Sequence, residues 1–353
     1  MQSHHAADSV RPTIALAMGD PGGISSELAA KLIAQDDIRA AARIVMFGDM
    51  RILEDGAKVA GVALDIDTVG TEDALPARTP RPVLVDLKNL DPSDVTPAAP
   101  TLAGGRFATE NFRRALQYAA AGRAHGVAFT PFNKKAMRLA YPGYDDEIRF
   151  IADVLKLDCP AREFNVLDEL WNARVTSHIA LAEVAAAISK DAILRNLALA
   201  DACMRVAGFA RPRIAVAALN PHAGDGGNFG REEIDIIAPA VREAVERGYA
   251  ALGPYPADTV FVRAKRGECD AVLTMYHDQG QIAMKLMGFD RGVTYVGGFP
   301  FPICTPAHGT AYDIGGRGIA NLGATRQAML LAIRIASQAP SSAAARPQGR
   351  AAS

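Results

Sequence analysis

Short apolar runs alternate with longer segments of helical spacing along most of this chain. Strands are predicted for residues 12–19, 43–49, 82–87, 126–131, 174–178, 213–220 and 271–275, and helices for residues 24–35, 107–122, 190–208 and 231–248. Strands that alternate with helices of about ten or more residues are typical of α/β proteins with a largely parallel sheet. The sequence therefore predicts an α/β fold, and 353 residues are enough for two lobes.

Polar or glycine-rich segments collect where five of the predicted strands end. In parallel sheets, ligands bind in crevices beyond the carboxyl ends of the strands. We therefore expect the five strand ends to form one shared cleft, lined by the segments MGDPGG, TPFNKK, TSH, NPHAGDGG and YHDQG. The stretch 88–106 is rich in proline and glycine, which predicts a loop.

Composition excludes several classes of protein. A net charge of -1 argues against a nucleic-acid-binding surface, and the sequence has no apolar run long enough to cross a membrane. The four cysteines are scattered without a CxxC pair, which favours a reduced, cytoplasmic protein. The start lacks the apolar core of a signal peptide. Disorder is predicted for residues 1–11 and for the Ala/Ser/Pro-rich tail 339–353.

Three of the seven histidines, His178, His222 and His277, directly follow predicted strands. Imidazole is a common ligand of zinc and similar ions, and three histidines with one open position are typical of a catalytic site. A single histidine at a strand end is more often a hydrogen-bonded structural residue, so the spacing alone leaves both readings open. Asp278 has two readings as well: it orients His277, or it caps the following helix.

Other segments have a functional and a structural reading. The small residues of 308–321 would let backbone N–H groups face an anion such as a dinucleotide pyrophosphate. No G-x-G-x-x-G follows the first strand, which disfavours a standard Rossmann domain. Lys285 is either an acid–base group near a metal or a surface lysine. Lys134 and its neighbour Lys135 either bind an anion or begin a solvated helix.

Seven motifs in order resemble the 4-hydroxythreonine-4-phosphate dehydrogenase (PdxA) family of vitamin B6 synthesis. They are MGDPGGI, PFNKKA…YPG, SHIAL, NPHAGDGG, PADTVF, MYHDQGQIAMKLMGFDRGV and HGTAYDIGGRGIAN, and the resemblance covers roughly residues 12–338. The last motif is also similar to the adenosine-binding segment of isopropylmalate dehydrogenases.

The resemblance implies a two-lobed fold like that of isocitrate and isopropylmalate dehydrogenases, with a cleft between the lobes. One lobe would comprise 12–130 plus 315–338, and the other, with the metal site, 131–314. It also implies a homodimer with active sites at the subunit interface, NAD, and a divalent metal (Zn, Mg, Co or Mn) on the three histidines. The implied catalytic residues are Lys285 and Asp278, the implied substrate contacts are Lys285, Asn133 and Lys134, and the implied cofactor contacts are His308, Gly309, Thr310, Ala311, Asp313 and Asn321.

Three positions depart from the family pattern. The family's Gly-His-Thr-Glu is replaced by a segment that contains Tyr144, its substrate-contacting asparagine by Thr294, and its substrate-contacting arginine by Ile303. Loss of that arginine removes a charge-assisted contact of about 1.5–3 kcal/mol. An apolar Ile303 and an aromatic Tyr144 would suit an unphosphorylated ring.

The sequence therefore favours NAD- and metal-dependent oxidation of a terephthalate-type cis-dihydrodiol, with decarboxylation to a catechol, as in one branch of the family. Two alternatives stay open. One is a dehydrogenase of 4-hydroxythreonine 4-phosphate or of a sugar acid phosphate such as threonate or erythronate 4-phosphate. The other is a non-catalytic relative that binds a metal or a metabolite.

Overall fold

The computed structural model describes residues 11–76 and 79–338, which contain one twelve-stranded sheet with helices packed on it. The strands are β1 (Thr13–Ala17), β2 (Arg43–Gly48), β3 (Asp67–Val69), β4 (Val83–Asp86), β5 (Gly126–Phe129), β6 (Arg162–Leu167), β7 (Leu170–Arg174), β8 (Arg213–Ala217), β9 (Ala250–Tyr255), β10 (Ala271–Thr274), β11 (Val293–Gly297) and β12 (Ile303–Pro306). The helices are α1 (Ser25–Ile33), α2 (Asp36–Ala41), α3 (Met50–Ala60), α4 (Leu102–Ala120), α5 (Lys134–Ala140), α6 (Glu147–Leu155), α7 (Val184–Ala187), α8 (Lys190–Val206), α9 (Ala238–Glu246), α10 (Ala257–Lys265), α11 (His277–Gly288) and α12 (Gly323–Gln338).

The strand order is β3-β4-β2-β1-β5-β12-β11-β6-β7-β10-β8-β9. Along this spatial order, neighbouring strands pair in parallel from β3 through β12 and again from β7 through β9. Only the three pairs between these blocks, β12–β11, β11–β6 and β6–β7, are antiparallel. The prediction of an α/β fold with a mainly parallel sheet is confirmed.

The three antiparallel pairings reverse the direction of the sheet between its two parallel blocks. The carboxyl ends of β1 and β5 therefore lie at the edge opposite to those of β7, β8 and β10. The prediction that all five strand ends line one cleft was wrong. Two separate groups exist: MGDPGG with TPFNKK at one edge, and TSH, NPHAGDGG and YHDQG at the other.

Some predicted boundaries also differ. Residues 102–106 belong to α4 rather than to a loop, because Thr101 caps the helix by accepting a hydrogen bond from the Gly104 N–H. The predicted strand 174–178 is instead β7, which ends at Arg174. The predicted helix 231–248 begins as a short π-helix at Glu233–Ile237 and continues as α9.

Helix α4 packs on β1, β2 and β5, and α6 packs beside it against α4. Phe112 of α4 and Phe150 of α6 stack at 5.6 Å between ring centroids, and both belong to the apolar cluster that contains Val127, Val296 and Ile303. Burial of such side chains contributes roughly 1.5–3 kcal/mol each to stability. On the neighbouring strand β6, the same face of the sheet carries polar side chains.

The predicted lobe 12–130 plus 315–338 contributes β1–β5, and the predicted lobe 131–314 contributes β6–β12, so each set forms one continuous part of the sheet. The division into lobes stays a prediction. Residues 1–10 and 339–353, predicted to be disordered, lie outside the described residues. None of the helices in 11–76 and 79–338 is both long and apolar enough to cross a membrane.

Candidate functional site

Two of the predicted metal ligands lie together at the carboxyl ends of β7 and β10. The rings of His178 and His277 are 5.7 Å apart between centroids. Two imidazoles that bind one zinc ion at about 2.0–2.1 Å per nitrogen have ring centres at about this separation. Both side chains are at least partly exposed, so a ligand can reach them.

The segment YHDQG follows β10 after Met275, and its last four residues form the first turn of α11. Nδ1 of His277 lies 2.6 Å from Oδ1 of Asp278, so Nε2 is the nitrogen left for a ligand. Gln279 accepts from the Met275 N–H and donates to the Ala218 carbonyl, which ties the end of β10 to that of β8. Asp278 caps no helix, and its contact instead matches the orienting role.

Gly280 lets α11 approach the sheet. A Cβ at this position would lie 2.2 Å from Oδ1 of Asn172, a fully buried side chain of β7. The side chain of Asn172 is fixed by hydrogen bonds from Nδ2 to the carbonyls of Ala173 and Val272 and to Oγ1 of Thr274. Only glycine therefore permits this approach of the helix that begins with His277.

His222 lies in a loop of unusual backbone conformation after β8. Consecutive residues have left-handed φ angles: His222 (54°), Ala223 (54°), Gly224 (81°), Asp225 (45°) and Gly226 (66°). Non-glycine residues in this region carry a conformational cost, which the surroundings must outweigh. His222 itself is exposed, with its ring centroid 6.2 Å from that of Phe229.

Glu233, which sequence reasoning missed, holds this loop in place. Its Oε1 accepts from the backbone N–H groups of Leu219 and Asn220, both at 2.8 Å, and its Oε2 accepts from the Asn220 side chain at 2.9 Å. The Glu233 side chain is buried, and it belongs to the π-helical turn that precedes α9. Such π-helical turns are frequent at functional sites. In the sequence, only the acidic pair Glu232 and Glu233 just after the glycine-rich loop pointed to this contact.

The nitrogens of His178 and His277 suit a divalent ion, but the structure does not group all three predicted ligands. Among the described residues no group of three or more His, Cys, Asp or Glu side chains is arranged around a common point. His178 and His277 supply two neutral nitrogens, with an orienting carboxylate on one of them. The structure does not bring His222 into the same cluster.

Lys285 is exposed on α11, at the mouth of a small cavity. The cavity walls include Asn165 of β6, Gln281 of α11 and Val293 of β11. Thr294, the position of the family's asparagine, is partly buried opposite Asn165 in the sheet. The structure thus brings Lys285 and Thr294 close to the same strand, β6.

Asn133 and Lys134 begin helix α5. Oδ1 of Asn133 accepts from the N–H groups of Lys135 and Ala136, so this side chain caps the helix. Nζ of Lys134 lies 3.4 Å from a carboxylate oxygen of Glu147, at the start of α6. Lys134 is partly exposed, and its amine is available to an anion only in competition with Glu147.

Tyr144 and Ile303, two predicted substrate contacts, are both fully buried in the cluster under α4 and α6. Burial, followed by the charge of Glu147, raises the pKa of Tyr144. Neither side chain has a surface that faces a ligand in this structure. Their role toward substrate stays a prediction, and their apolar character no longer argues for a ring-shaped substrate.

A buried ion pair, also missed by sequence reasoning, lies beside these residues. Arg174, at the end of β7, donates to Oδ1 of Asn165 at 2.8 Å and to Oε2 of Glu163 at 3.0 Å. The pKa of Glu163 is raised overall, first by burial and then by the charge of Glu147. The charges of Arg174, Lys134 and His178 oppose this shift. Glu163 therefore lies within electrostatic range of both the lysine of α5 and the histidine after β7.

The predicted cofactor segment packs against the loop after β1. The Ile24 N–H donates to the Thr310 carbonyl, and the Tyr312 hydroxyl donates to the buried Asp20 carboxylate at 2.7 Å. Burial raises the pKa of Asp20, although hydrogen bonds from Tyr312 and from the backbone oppose the shift. Ala311 has a left-handed φ of 43°, so the loop is held in a specific conformation.

Individual positions in this segment differ in their exposure. Thr310 is buried, His308 and Ala311 are partly exposed, and Gly309, Asp313 and Asn321 are exposed. The Asn321 side chain accepts from the Gly323 N–H at the start of α12. The small, exposed Gly309 has no atom within 4 Å of its Cβ position, so its backbone is open to a ligand. That this segment binds a dinucleotide stays a prediction.

Comparison with known proteins shows the family to which this chain is related. The family model "Pyridoxal phosphate biosynthetic protein PdxA" matches residues 40–332. A Rhizobium meliloti protein, provisionally named 4-hydroxythreonine-4-phosphate dehydrogenase 2, is 63% identical over 92% of this chain and 94% of its own length. A Symbiobacterium thermophilum protein, provisionally named D-threonate 4-phosphate dehydrogenase, is 34% identical over 92% of this chain and 97% of its own.

Two solved structures extend the comparison. The 4-hydroxythreonine-4-phosphate dehydrogenase of Klebsiella pneumoniae has a TM-score of 0.81 at 32% identity, over 94% of this chain and 100% of its own. The terephthalate 1,2-cis-dihydrodiol dehydrogenase of Burkholderia xenovorans has a TM-score of 0.59 at 29% identity, over 93% and 98%. The chain therefore belongs to the PdxA family, and it is a dehydrogenase by relationship.

Proposed function

We propose that this protein is an NAD-dependent dehydrogenase of a four-carbon hydroxy acid phosphorylated at C4, of the 4-hydroxythreonine 4-phosphate or D-threonate 4-phosphate type. The observation that carries the proposal is the pair of adjacent histidines after β7 and β10, in a chain whose relatives are named for these substrates. The dihydrodiol interpretation loses its main support, because Ile303 and Tyr144 are enclosed in the apolar core.

In this proposal His178, His222 and His277 hold a divalent ion, with Asp278 fixing the tautomer of His277. The ion would lower the pKa of the substrate alcohol, and NAD, bound along residues 308–313, would accept the hydride. Lys285 is the candidate to exchange a proton with the substrate or to bind it, because it lies on α11, the helix that begins with His277, about two turns further along.

Carbon dioxide is proposed as a second product. Oxidation of the hydroxyl at C3 of either substrate gives a ketone β to the carboxylate, an arrangement that loses carbon dioxide readily. The residues of this chain contribute by orienting the carboxylate and by delivering a proton to the carbon that carried it. Lys285 is the candidate for that proton transfer.

We also propose a homodimer with active sites near its interface. Ile282, Leu286 and Phe289 form an exposed apolar stripe on α11 and its carboxyl end, and Leu286 is 83% exposed. Their spacing of three to four residues places them on one side of the helix. Exposed apolar patches of this kind mark interaction surfaces, and the same helix carries His277 and Lys285.

The function is tested by NADH formation with D-threonate 4-phosphate, 4-hydroxythreonine 4-phosphate and a terephthalate dihydrodiol, with and without chelator. The phosphorylated acids are expected to be oxidised in a metal-dependent reaction. Turnover of the dihydrodiol alone would overturn the proposed substrate, and no turnover with bound metal would identify a non-catalytic relative. Metal content of the His178→Ala variant, measured on the chain without substrate, should fall below that of the wild type.

A further inference from the structure

One row of side chains crosses the sheet from apolar to charged residues. Ile303 of β12 lies opposite Val127 of β5 on one side and opposite Val296 of β11 on the other. Val296 in turn lies opposite Glu163 of β6. The register of β6 and β7 continues the row to Arg174. Since residues opposite each other across strands share one face of a sheet, Ile303 and Arg174 point to the same side.

Arg174 reaches back along this row toward the position of Ile303. Its guanidinium bonds to Glu163 and Asn165, which both belong to β6, the strand between β7 and β11. An arginine at position 303 would approach β6 from the side of β11 and β12, whereas Arg174 approaches it from the side of β7. The two positions therefore offer a guanidinium to the same part of the sheet face, next to the cavity of Lys285, whose walls include Asn165.

The Arg174–Glu163 pair is poorly explained as a stabilising contact. Only 3% of the Arg174 side chain and 16% of the Glu163 side chain are exposed. Burial lowers the pKa of Arg174 and raises that of Glu163, so the surroundings disfavour the charge of each partner. Buried ion pairs often contribute nothing to stability relative to apolar residues of the same size. A binding role explains why such a pair is present beside the candidate site.

We propose that Arg174 binds an anionic group of the substrate, in place of the arginine that is absent at position 303. Glu163 is the internal counter-ion that occupies the guanidinium until the substrate anion replaces it. Lys134, 3.4 Å from Glu147, is a second cation within electrostatic range of Glu163, and it has its own internal partner. The inference rests on the proposed function for the identity of the substrate, but anion binding by Arg174 can be measured without turnover.

The test compares wild type with Arg174→Met, which keeps the length of the side chain and removes its charge. The double variant Arg174→Met/Glu163→Gln leaves no buried charge unpaired and remains informative if the single variant folds poorly. Arg114→Met is the matched control, because Arg114 forms a partly buried pair with Glu72 outside the site. Binding of inorganic phosphate and of D-threonate is measured by calorimetry on each folded protein.

Wild type is expected to bind at least one of the two anions, and both Arg174 variants should bind it about 10- to 100-fold more weakly, the loss expected for a charge-assisted hydrogen bond. The Arg114 control should match wild type. Equal binding by wild type and the Arg174 variants, or no binding of either anion by wild type, would overturn the proposal even if the enzyme turns over its substrate.

Kinetics then identify which anionic group is bound. For wild type and Arg174→Met, KM is compared between D-threonate 4-phosphate and D-threonate. A rise in KM confined to the phosphorylated acid assigns the phosphate to Arg174, and an equal rise with both acids assigns the carboxylate. Unchanged KM with both acids contradicts the proposal. Absence of turnover in wild type refutes the proposed function instead, and calorimetry still decides the role of Arg174.

Discussion

Replacement of Gly280 by alanine tests how closely the first turn of α11 is packed on the sheet. The added methyl group would lie 2.2 Å from Oδ1 of Asn172, well inside the about 3.5 Å of normal contact. Asn172 cannot turn away without losing its hydrogen bonds to Ala173, Val272 and Thr274. Overpacking costs about 1–3 kcal/mol, and each lost hydrogen bond costs about 0.5–1.5 kcal/mol more.

Alanine has a better helix propensity than glycine by about 0.8–1.0 kcal/mol, which offsets part of this cost. The free energy of unfolding should therefore fall by about 1–4 kcal/mol, as measured by urea denaturation with tryptophan fluorescence of Trp171. Gly70→Ala is the control, because nothing lies within 4 Å of its added Cβ. The double variant Gly280→Ala/Asn172→Ala should recover part of the loss, since the clash is absent. A single variant as stable as wild type would refute the packing argument.

Three further predictions concern separate contacts. Glu233→Ala should lower the free energy of unfolding by about 1–3 kcal/mol in urea denaturation, because two backbone N–H groups lose a buried charged acceptor. Asp278→Ala should leave stability unchanged but weaken metal binding about 10- to 100-fold in a chelator competition, and unchanged affinity would contradict its orienting role.

The third concerns Glu72: burial raises its pKa, but the hydrogen bond and charge of Arg114 outweigh burial and lower it overall. The stability difference between wild type and Glu72→Gln should therefore be full above the unfolded pKa and vanish as pH falls through the folded pKa in urea titrations from about pH 7 to pH 3.

Part of the secondary structure was predictable because several elements have a local signature, whereas β3, β6, β9, β11 and β12 were not predicted. Apolar runs such as 43–49 and 126–131 match β2 and β5 closely, and the spacing of 190–208 matches α8. The reversal of the sheet at β12, β11 and β6 had no such signature, because it depends on which distant strands pair. That long-range pairing separates the strand ends into two groups, and it made the single-cleft prediction wrong.

Residues of the candidate site were predictable where a polar, ligand-forming side chain directly follows an apolar run. Histidines after apolar runs pointed to His178 and His277, which the structure places together. Buried partners were missed because their importance comes from packing across strands. Polar residues at alternate positions of two neighbouring strands were the available signal: Glu163 and Asn165 in β6, and Asn172 and Arg174 in β7. A strand that alternates in this way shows a polar row to one face.

The same row explains why restoring the family's arginine by a single substitution should fail. Ile303 is fully buried between Val127 and Val296, under α4 and α6. In Ile303→Arg the new guanidinium would have to leave this apolar cluster to reach Glu163, whose carboxylate is already bonded to Arg174. Two cations would then share one carboxylate, and breaking or crowding a buried pair costs about 3–5 kcal/mol.

Ile303→Arg should therefore lower stability without improving phosphate binding. Combining it with Arg174→Met moves the single cation from β7 to β12 and should recover both properties in urea denaturation and calorimetry. If Ile303→Arg alone binds phosphate more tightly and folds as well as wild type, the two positions do not compete for the same place. In that case Arg174 is not the replacement for the missing arginine.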